Sequence, residues 1–331
     1  MNIISCAGYF STGSSAVTDF FSEFDNIKSL GQTEFKFLQD CDGVSSLEMH
    51  LIEHPHRHNT GHAIKRFINA SKFENGNLFS KRYRKVWGNK YMEYTLEYIS
   101  EITELQAECN WRGDAIEKGE FFYMINALVS ELTMKLGKKF GISLMSLMHT
   151  KNYFTSISRT AFYEATKRYT SKLFNEVSDG KDFLMVDQLT PPSEVSRYMN
   201  YVDNMKVFIV DRDPRDVFLT CYSVLPHMNA VPMKASAFCD WYKILREHRK
   251  TDEPCDKALL VHFEDMVYHY DETTDKLMNF LALNKDNHKY PFAKFNPSIS
   301  KKNTRQWEKY PEKGKDILYI EKNLKDFLYT Y

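Results

Sequence analysis

Two stretches far apart in the sequence carry residue types suited to holding an oxyanion. The first, NIISCAGYFSTGSSAVTDFF over residues 2–21, leaves an apolar run at Gly8 and passes through Tyr9, Phe10, Ser11, Thr12 and Gly13. It then enters a segment with Val17, Phe20, Phe21 and Phe24 at helical spacing. A strand, glycine loop and helix in that order aims backbone N–H groups and the positive end of a helix dipole at one anion. Ser14 or Ser15 is expected to cap the helix. The spacing approaches GxxxxGK[ST], with Ser14 where the lysine would stand. This predicts an anion-holding loop that is not an ordinary NTPase, because hydrolysis needs that lysine on the outer phosphates. A glycine turn of no special purpose is the alternative. The second stretch, RDPRDVFLT, puts Arg212 at the end of an apolar strand, Pro214 at a helix start and Thr220 eight residues beyond the arginine. From there a guanidinium fork and a hydroxyl can face the same phosphate.

Together the two stretches resemble the PAPS-dependent sulfotransferases, which take 3′-phosphoadenosine 5′-phosphosulfate as sulfuryl donor. RDPRD with the later Thr220 is similar to that family's 3′-phosphate motif, Thr220 replacing the usual serine. Gly13, Ser14 and Ser15 look like the Gly-[ST]-[ST] part of its 5′-phosphosulfate loop. FEDM and the following helix to NFLAL, residues 263–283, are also similar, and Lys301, Lys302, Arg305 and Trp307 resemble its cationic C-terminal loop without the glycines. The likeness covers roughly residues 1–40 and 182–310. It implies a P-loop-like fold, a PAPS site built from Tyr9, Phe10, Ser11, Thr12, Gly13, Ser14, Ser15, Arg212, Thr220, Lys301, Lys302 and Arg305, and no required metal. The acceptor it implies is a hydroxyl or amine on a glycan or other small metabolite.

Two family cations are missing. Ser11 stands where the first loop usually has Lys or Arg, and Gln188 where a lysine ends the third strand. Lys36, Lys65, Arg66, Lys301, Lys302 and Arg305 are the candidates to supply that charge, which matters because oxyanion stabilisation is commonly the largest catalytic contribution. In the glycan-modifying branch a glutamate after the second strand, followed by paired aromatics, acts as base. TEFKFL places Glu34, Phe35 and Phe37 similarly, so Glu34 is the first choice, with Lys36 beside it and Asp187 and His149 in reserve. Two other readings stay open: a nucleotide-dependent kinase or NTPase, with Asp211 ending the apolar strand VFIVD as a magnesium-holding carboxylate would, and a homologue that binds PAP, the bisphosphate left after transfer, but has lost turnover.

The elements that must position these residues follow from periodicity. Apolar runs at Ile3–Ile4, 26–30 (broken by Gly31), 182–189, 207–210 and 257–263 predict five strands alternating with helices, hence an α/β fold with a doubly wound parallel five-stranded sheet. Ligands are expected at the strands' carboxyl ends. Helical spacing recurs at 44–52 and 61–70, and in three longer runs at 91–108, 117–139 and 155–178, punctuated by Gly113, Gly137 and Gly141. These are expected to form a helical insertion at about 44–180 within one domain spanning 1–331. Further helices are expected at 194–202, from Pro214, at 264–283 and near the C-terminus.

Composition narrows the function classes. Lysine plus arginine equals aspartate plus glutamate at 44 each, so no global field draws the 331-residue chain to nucleic acid or an anionic membrane. Cys6, Cys41, Cys109, Cys221, Cys239 and Cys255 form no CxxC pair, which suggests reduced thiols and no zinc site. His54, His56, His58 and His62 lack a partner carboxylate or Cys at fixed spacing, and the default for such histidines is solvation. KRYRKVWGNKY, residues 81–91, reads first as a solvated helix face and otherwise as a wall for an anionic or sugar-bearing acceptor. With no signal-peptide pattern and no long apolar run, the expectation is a cytoplasmic protein. Acceptor identity and oligomeric state leave no mark in the sequence.

Overall fold

The computed structural model describes residues 1–57, 59–77, 81–140, 149–223, 231–250 and 252–331. The chain divides into two compact units, Met1–Gln39 with Thr170–Tyr331 and Asp40–Tyr169.

The first unit holds β1 (Asn2–Gly8), α1 (Ser14–Phe21) and β2 (Ile27–Glu34). The second supplies α2 (Val44–Glu48), continued by a π-helical turn at Met49–Glu53, then α3 (Thr60–Asn75), α4 (Arg84–Trp87) and α5 (Lys90–Glu101). It also contains β3 (Leu105–Asn110), α6 (Arg112–Lys118), α7 (Glu120–Phe140) and β4 (His149–Phe154). From α8 (Arg159–Val177) the chain returns to the first unit with β5 (Phe183–Asp187), α9 (Val195–Tyr198), β6 (Met205–Asp211), α10 (Pro214–Ser223) and α11 (Ala235–Lys250). There follow β7 (Ala258–His262), α12 (Phe263–Tyr268), α13 (Tyr270–Leu281), α14 (Pro297–Ser300) and α15 (Gly314–Asn323).

The expected five-stranded parallel sheet forms in the order β2-β5-β1-β6-β7. Its inner strands are buried on both faces, which is why they read as unbroken apolar runs. Ile4 and Cys6 of β1 and Phe208 and Val210 of β6 pack with Phe20 and Phe21 of α1 and with Leu277 and Leu281 of α13. Burying each such large side chain contributes roughly 1.5–3 kcal/mol. A second cluster joins Phe218 of α10, Phe238 and Tyr242 of α11 and Ile320 of α15.

Several elements differ from expectation. β2 does not end at Gly31; it runs to Glu34, with the register broken between Ser29 and Glu34 and restored where Glu34 pairs with Asp187. Gly31 makes that possible by taking φ +74°, which residues with a Cβ avoid. The helix expected over 91–108 stops at Glu101, because Leu105–Asn110 pairs antiparallel with His149–Phe154. The helix expected from 155 starts at Arg159. Gly113 and Gly137 lie inside α6 and α7; Gly141 and His58 are outside the described residues. The helix expected over 264–283 is divided at His269, whose backbone is non-helical at φ −124°, ψ 44°. That expected at 194–202 keeps one turn, Val195–Tyr198. α11 was not foreseen.

Candidate functional site

The opening loop is shaped by two positive-φ residues, Ser11 at φ 63° and Gly13 at φ 87°. Gly13 precedes the first turn of α1, and neither Ser14 nor Ser15 caps the helix: no side chain bonds to its first N–H groups. The expected serine cap is therefore replaced by a left-handed glycine, which leaves the helix's N-terminal donors to other acceptors. Gly13 is also fixed sterically, since a Cβ there would lie 2.8 Å from Cδ2 of Phe263. Gln188, at φ 59°, reaches the loop from the end of β5 and donates from Nε2 to Ser14 Oγ at 3.2 Å. Where a cation was expected, the chain thus has a neutral donor that orients a loop hydroxyl.

Arg212 joins the opening loop to the C-terminal segment. It is 5% exposed. Nη1 donates to the Ser11 carbonyl at 3.1 Å and Nη2 to the Asn303 carbonyl at 2.5 Å, while the guanidinium lies 5.0 Å from the centre of the Phe263 ring. Its Nε is buried without a hydrogen-bond partner. Thr220 does not bond to Arg212; its hydroxyl accepts from Gln306 Nε2 at 2.7 Å, and the same amide donates to the Asn303 carbonyl at 3.2 Å. Arg212 and Thr220 therefore meet through the segment Asn303–Gln306. Cys221 lies alongside, its thiol raised by burial while Ser11 and Arg212 pull it back.

The acidic residues of RDPRD organise the surrounding backbone. Asp216 accepts from the N–H groups of Arg305 and Gln306 at 3.0 and 2.8 Å and from the Tyr331 hydroxyl at 3.2 Å. Burial pushes its pKa up to about 6 despite Arg212 nearby. Asp213 accepts from Arg215 Nε and Nη2 at 2.9 and 2.7 Å and from the Tyr329 N–H at 3.1 Å, and its own N–H donates to Glu264 at 3.0 Å. Glu264 is itself pushed up to about 8 by burial. The basic residue of the motif, Arg215, is held by Asp213 and Glu321 and lies 3.7 Å from the Trp307 ring centre.

The other candidate cations are placed differently. Lys301 lies 5.6 Å from the Tyr268 ring centre and Arg305 4.4 Å from that of Tyr331, so in this segment it is the backbone that reaches Arg212 and Asp216. Lys302 is exposed. In the second unit, Lys65 bonds to Asp114 at 2.9 Å and to Thr150 at 2.9 Å, and Arg66 pairs with Asp42. Arg212 donates to the opening loop's backbone at Ser11, while Arg246 and Arg249 approach the side chain of Tyr9 in the same loop.

Glu34 and Asp187 are brought together as register partners on β2 and β5. Glu34 is half-exposed and pairs with Lys36 at 2.6 Å. Asp187 is buried, and its Oδ1 has no hydrogen-bond partner. Burial first, and the Glu34 charge second, push its pKa to about 7, in the range a general base needs. The side chain of His149 is outside the described structure.

Asp211 is not available in the way the kinase reading requires. Arg246 of α11 donates to it from Nη2 at 2.5 Å and from Nε at 3.1 Å, and Tyr242 stacks against the same guanidinium. This buried pair was missed with α11 itself. Among the described residues no group of three His, Cys, Asp or Glu side chains is arranged to hold a metal ion, and no helix is long and apolar enough to cross a membrane.

Solved structures similar to this chain include three sulfotransferases. The sulfotransferase domain of the Synechococcus PCC 7002 olefin synthase is 11% identical, with 92% of this chain and 88% of that one covered and a TM-score of 0.41. The sulfotransferase domain from the curacin biosynthetic pathway is 11% identical, with 87% and 76% covered and a TM-score of 0.35. A sulfotransferase from Mycobacterium tuberculosis H37Rv is 9% identical, with 92% and 76% covered and a TM-score of 0.35. No protein-family model matches the chain, and no curated protein matches its sequence.

Proposed function

We propose that the chain is a sulfotransferase that moves the sulfuryl group of PAPS to a hydroxyl or amine, with a carbohydrate as the favoured acceptor class. The observation that carries this reading is the hydrogen bond from Arg212 Nη1 to the carbonyl of Ser11, 201 residues away, which brings the two anion-holding stretches to one place. The residues fit the donor: Arg212 retains a buried, unpartnered Nε, and the first turn of α1 has no side-chain cap. Arg212 and Thr220 would hold the 3′-phosphate, and the N–H groups of Gly13, Ser14 and Ser15 the 5′ end.

PAPS supplies an activated sulfuryl group on a bisphosphate leaving group. Transfer forms a bond from sulfur to the acceptor oxygen or nitrogen and breaks the bond from sulfur to the 5′-phosphate oxygen. The acceptor proton passes to a base, and the electron pair stays on the departing phosphate. Glu34 is the proposed base because it is accessible from solvent, and Lys36 holds its carboxylate in place. Asp187 beside it is a second carboxylate, pushed by burial to a pKa of about 7. Gln188 orients Ser14, and Arg212 supplies the positive charge that Ser11 lacks.

Calorimetric titration tests the reading. Wild-type chain is expected to bind adenosine 3′,5′-bisphosphate, and Arg212→Ala to weaken that by at least about 30-fold while changing binding of adenosine 5′-phosphate much less. Equal losses for both ligands, or no binding of the bisphosphate, overturn it. Sulfate transfer from radiolabelled PAPS across sugar, phenol and amine acceptors then defines the class.

A further inference from the structure

The carboxyl edge of the sheet has a second concavity, on the side away from Arg212. A cavity of about 680 Å³ lies over the ends of β6 and β7, between the last turn of α11 and the segment Asp326–Thr330. Neighbouring residues turn in opposite directions here. Asp211 turns to Arg246 of α11 and lines the cavity, whereas Arg212 turns to Ser11 and Phe263. Tyr9 lines it too, its ring 4.1 Å from the Arg246 guanidinium.

Most charges on the wall are already answered. Asp211 is paired with Arg246, Asp265 accepts from the Tyr329 hydroxyl at 2.6 Å, Lys250 pairs with Glu247 at 2.5 Å, and Asp326 is exposed. Two donors remain. Arg249 lines the cavity and reaches toward the Tyr9 hydroxyl. Tyr9 is 7% exposed, and its buried hydroxyl has no hydrogen-bond partner at normal geometry. A buried polar group left unpaired costs about 1–3 kcal/mol, which a ligand oxygen would relieve. Burial and then the Asp211 charge raise the Tyr9 phenol, while the charges of Arg246 and Arg249 and a contact from the Arg249 side chain oppose them, so Arg249 and Tyr9 act on one locus. Leu260, Phe327 and Leu328 add an apolar wall.

We propose that this cavity is a second small-molecule site, for an organic anion whose carboxylate, sulfate or phosphate group is taken by Arg249 and the Tyr9 hydroxyl and whose apolar body lies against Leu260 and Phe327. The resemblance puts Tyr9 in the PAPS site, but its ring lies against Arg246 in this cavity; the site shares no residue with Arg212, Thr220, Gly13, Ser14 and Ser15 and does not depend on that assignment.

The test is calorimetric titration with naphthalene-2-sulfonate, with 2-naphthol as the neutral comparator, in the absence and presence of saturating adenosine 3′,5′-bisphosphate. The sulfonate is expected to bind one to one under both conditions and at least tenfold more tightly than 2-naphthol. Arg249→Ala should weaken it at least tenfold, Tyr9→Phe three- to tenfold, and Arg249→Lys less than Arg249→Ala; neither Arg249 variant should alter 2-naphthol binding. Circular dichroism melts identify any variant that fails to fold, and Arg249, part-exposed on the last turn of α11, is the substitution least coupled to the core. Displacement of the sulfonate by the bisphosphate, indifference to Arg249→Ala, or no binding at millimolar concentration overturns the proposal.

Discussion

Arg246 and Asp211 form a bidentate pair at the carboxyl end of β6, with N–O distances of 2.5 and 3.1 Å, and the arginine lies 3.2 Å from the ring centre of Tyr242. Both partners are buried. Breaking one side leaves an uncompensated charge, which costs more than the intact pair contributes. Asp211→Asn is therefore expected to lower stability by about 3–5 kcal/mol, measured by urea unfolding, and the double variant Asp211→Asn with Arg246→Leu to recover a large part of it. The same pairing predicts that Mg-ATP titrated into the wild type shows no magnesium-dependent binding.

Gly13 is constrained in two ways at once, by φ 87° and by the Phe263 ring that a Cβ would meet at 2.8 Å. Gly13→Ala is expected to destabilise the chain by roughly 1–3 kcal/mol. Adding Phe263→Leu should relieve the steric part and leave the backbone strain, so the midpoint in urea recovers only in part. Full recovery would show that the left-handed conformation is not required there.

Asp187 makes stability depend on pH. Its folded pKa of about 7 lies above the ordinary 3.8, so the folded state binds the proton more tightly than the unfolded chain. The stabilisation is complete below about pH 4 and is lost as pH rises through 7. Against Asp187→Asn, which stays neutral, wild-type stability should fall by roughly 2–4 kcal/mol between pH 4 and 8. Glu264, at about 8, and Asp216, at about 6, act in the same direction and keep some slope in the variant. Parallel slopes for wild type and variant would show that Asp187 is ionised in the folded chain across this range.

Glu34→Gln should leave binding of adenosine 3′,5′-bisphosphate within about twofold and reduce sulfate transfer by roughly 100-fold or more. Asp187→Asn, assayed alongside, distinguishes the two carboxylates. If Asp187→Asn removes turnover and Glu34→Gln does not, the base is the buried member of the pair.

The central sheet was legible because parallel strands covered on both faces are written as continuous apolar runs, as in VFIV before Asp211. The opening loop and RDPRD could be found for a similar reason: their residue types sit at short, fixed spacings. What stayed hidden depends on distant partners. The β3–β4 ladder pairs Leu105 with Phe154 and Asn110 with His149, and α6 and α7 lie between the two strands in the chain, so no hairpin turn announces the pairing. The role of Gln306, which bonds to Thr220, and the left-handed glycine in place of a serine cap are set by packing of the tail and by Phe263. α11 is different, since Ala235, Phe238, Cys239, Tyr242 and Arg246 stand at helical spacing and are the buried face. That signal was present in the sequence, and with it the partner of Asp211.

The two carbonyls bonded to Arg212, those of Ser11 and Asn303, come from near opposite ends of the chain. Each tether uses a single N–H, so Nε and the second N–H of each Nη stay available, and a phosphate held there would sit on a fork already fixed by both ends of the chain.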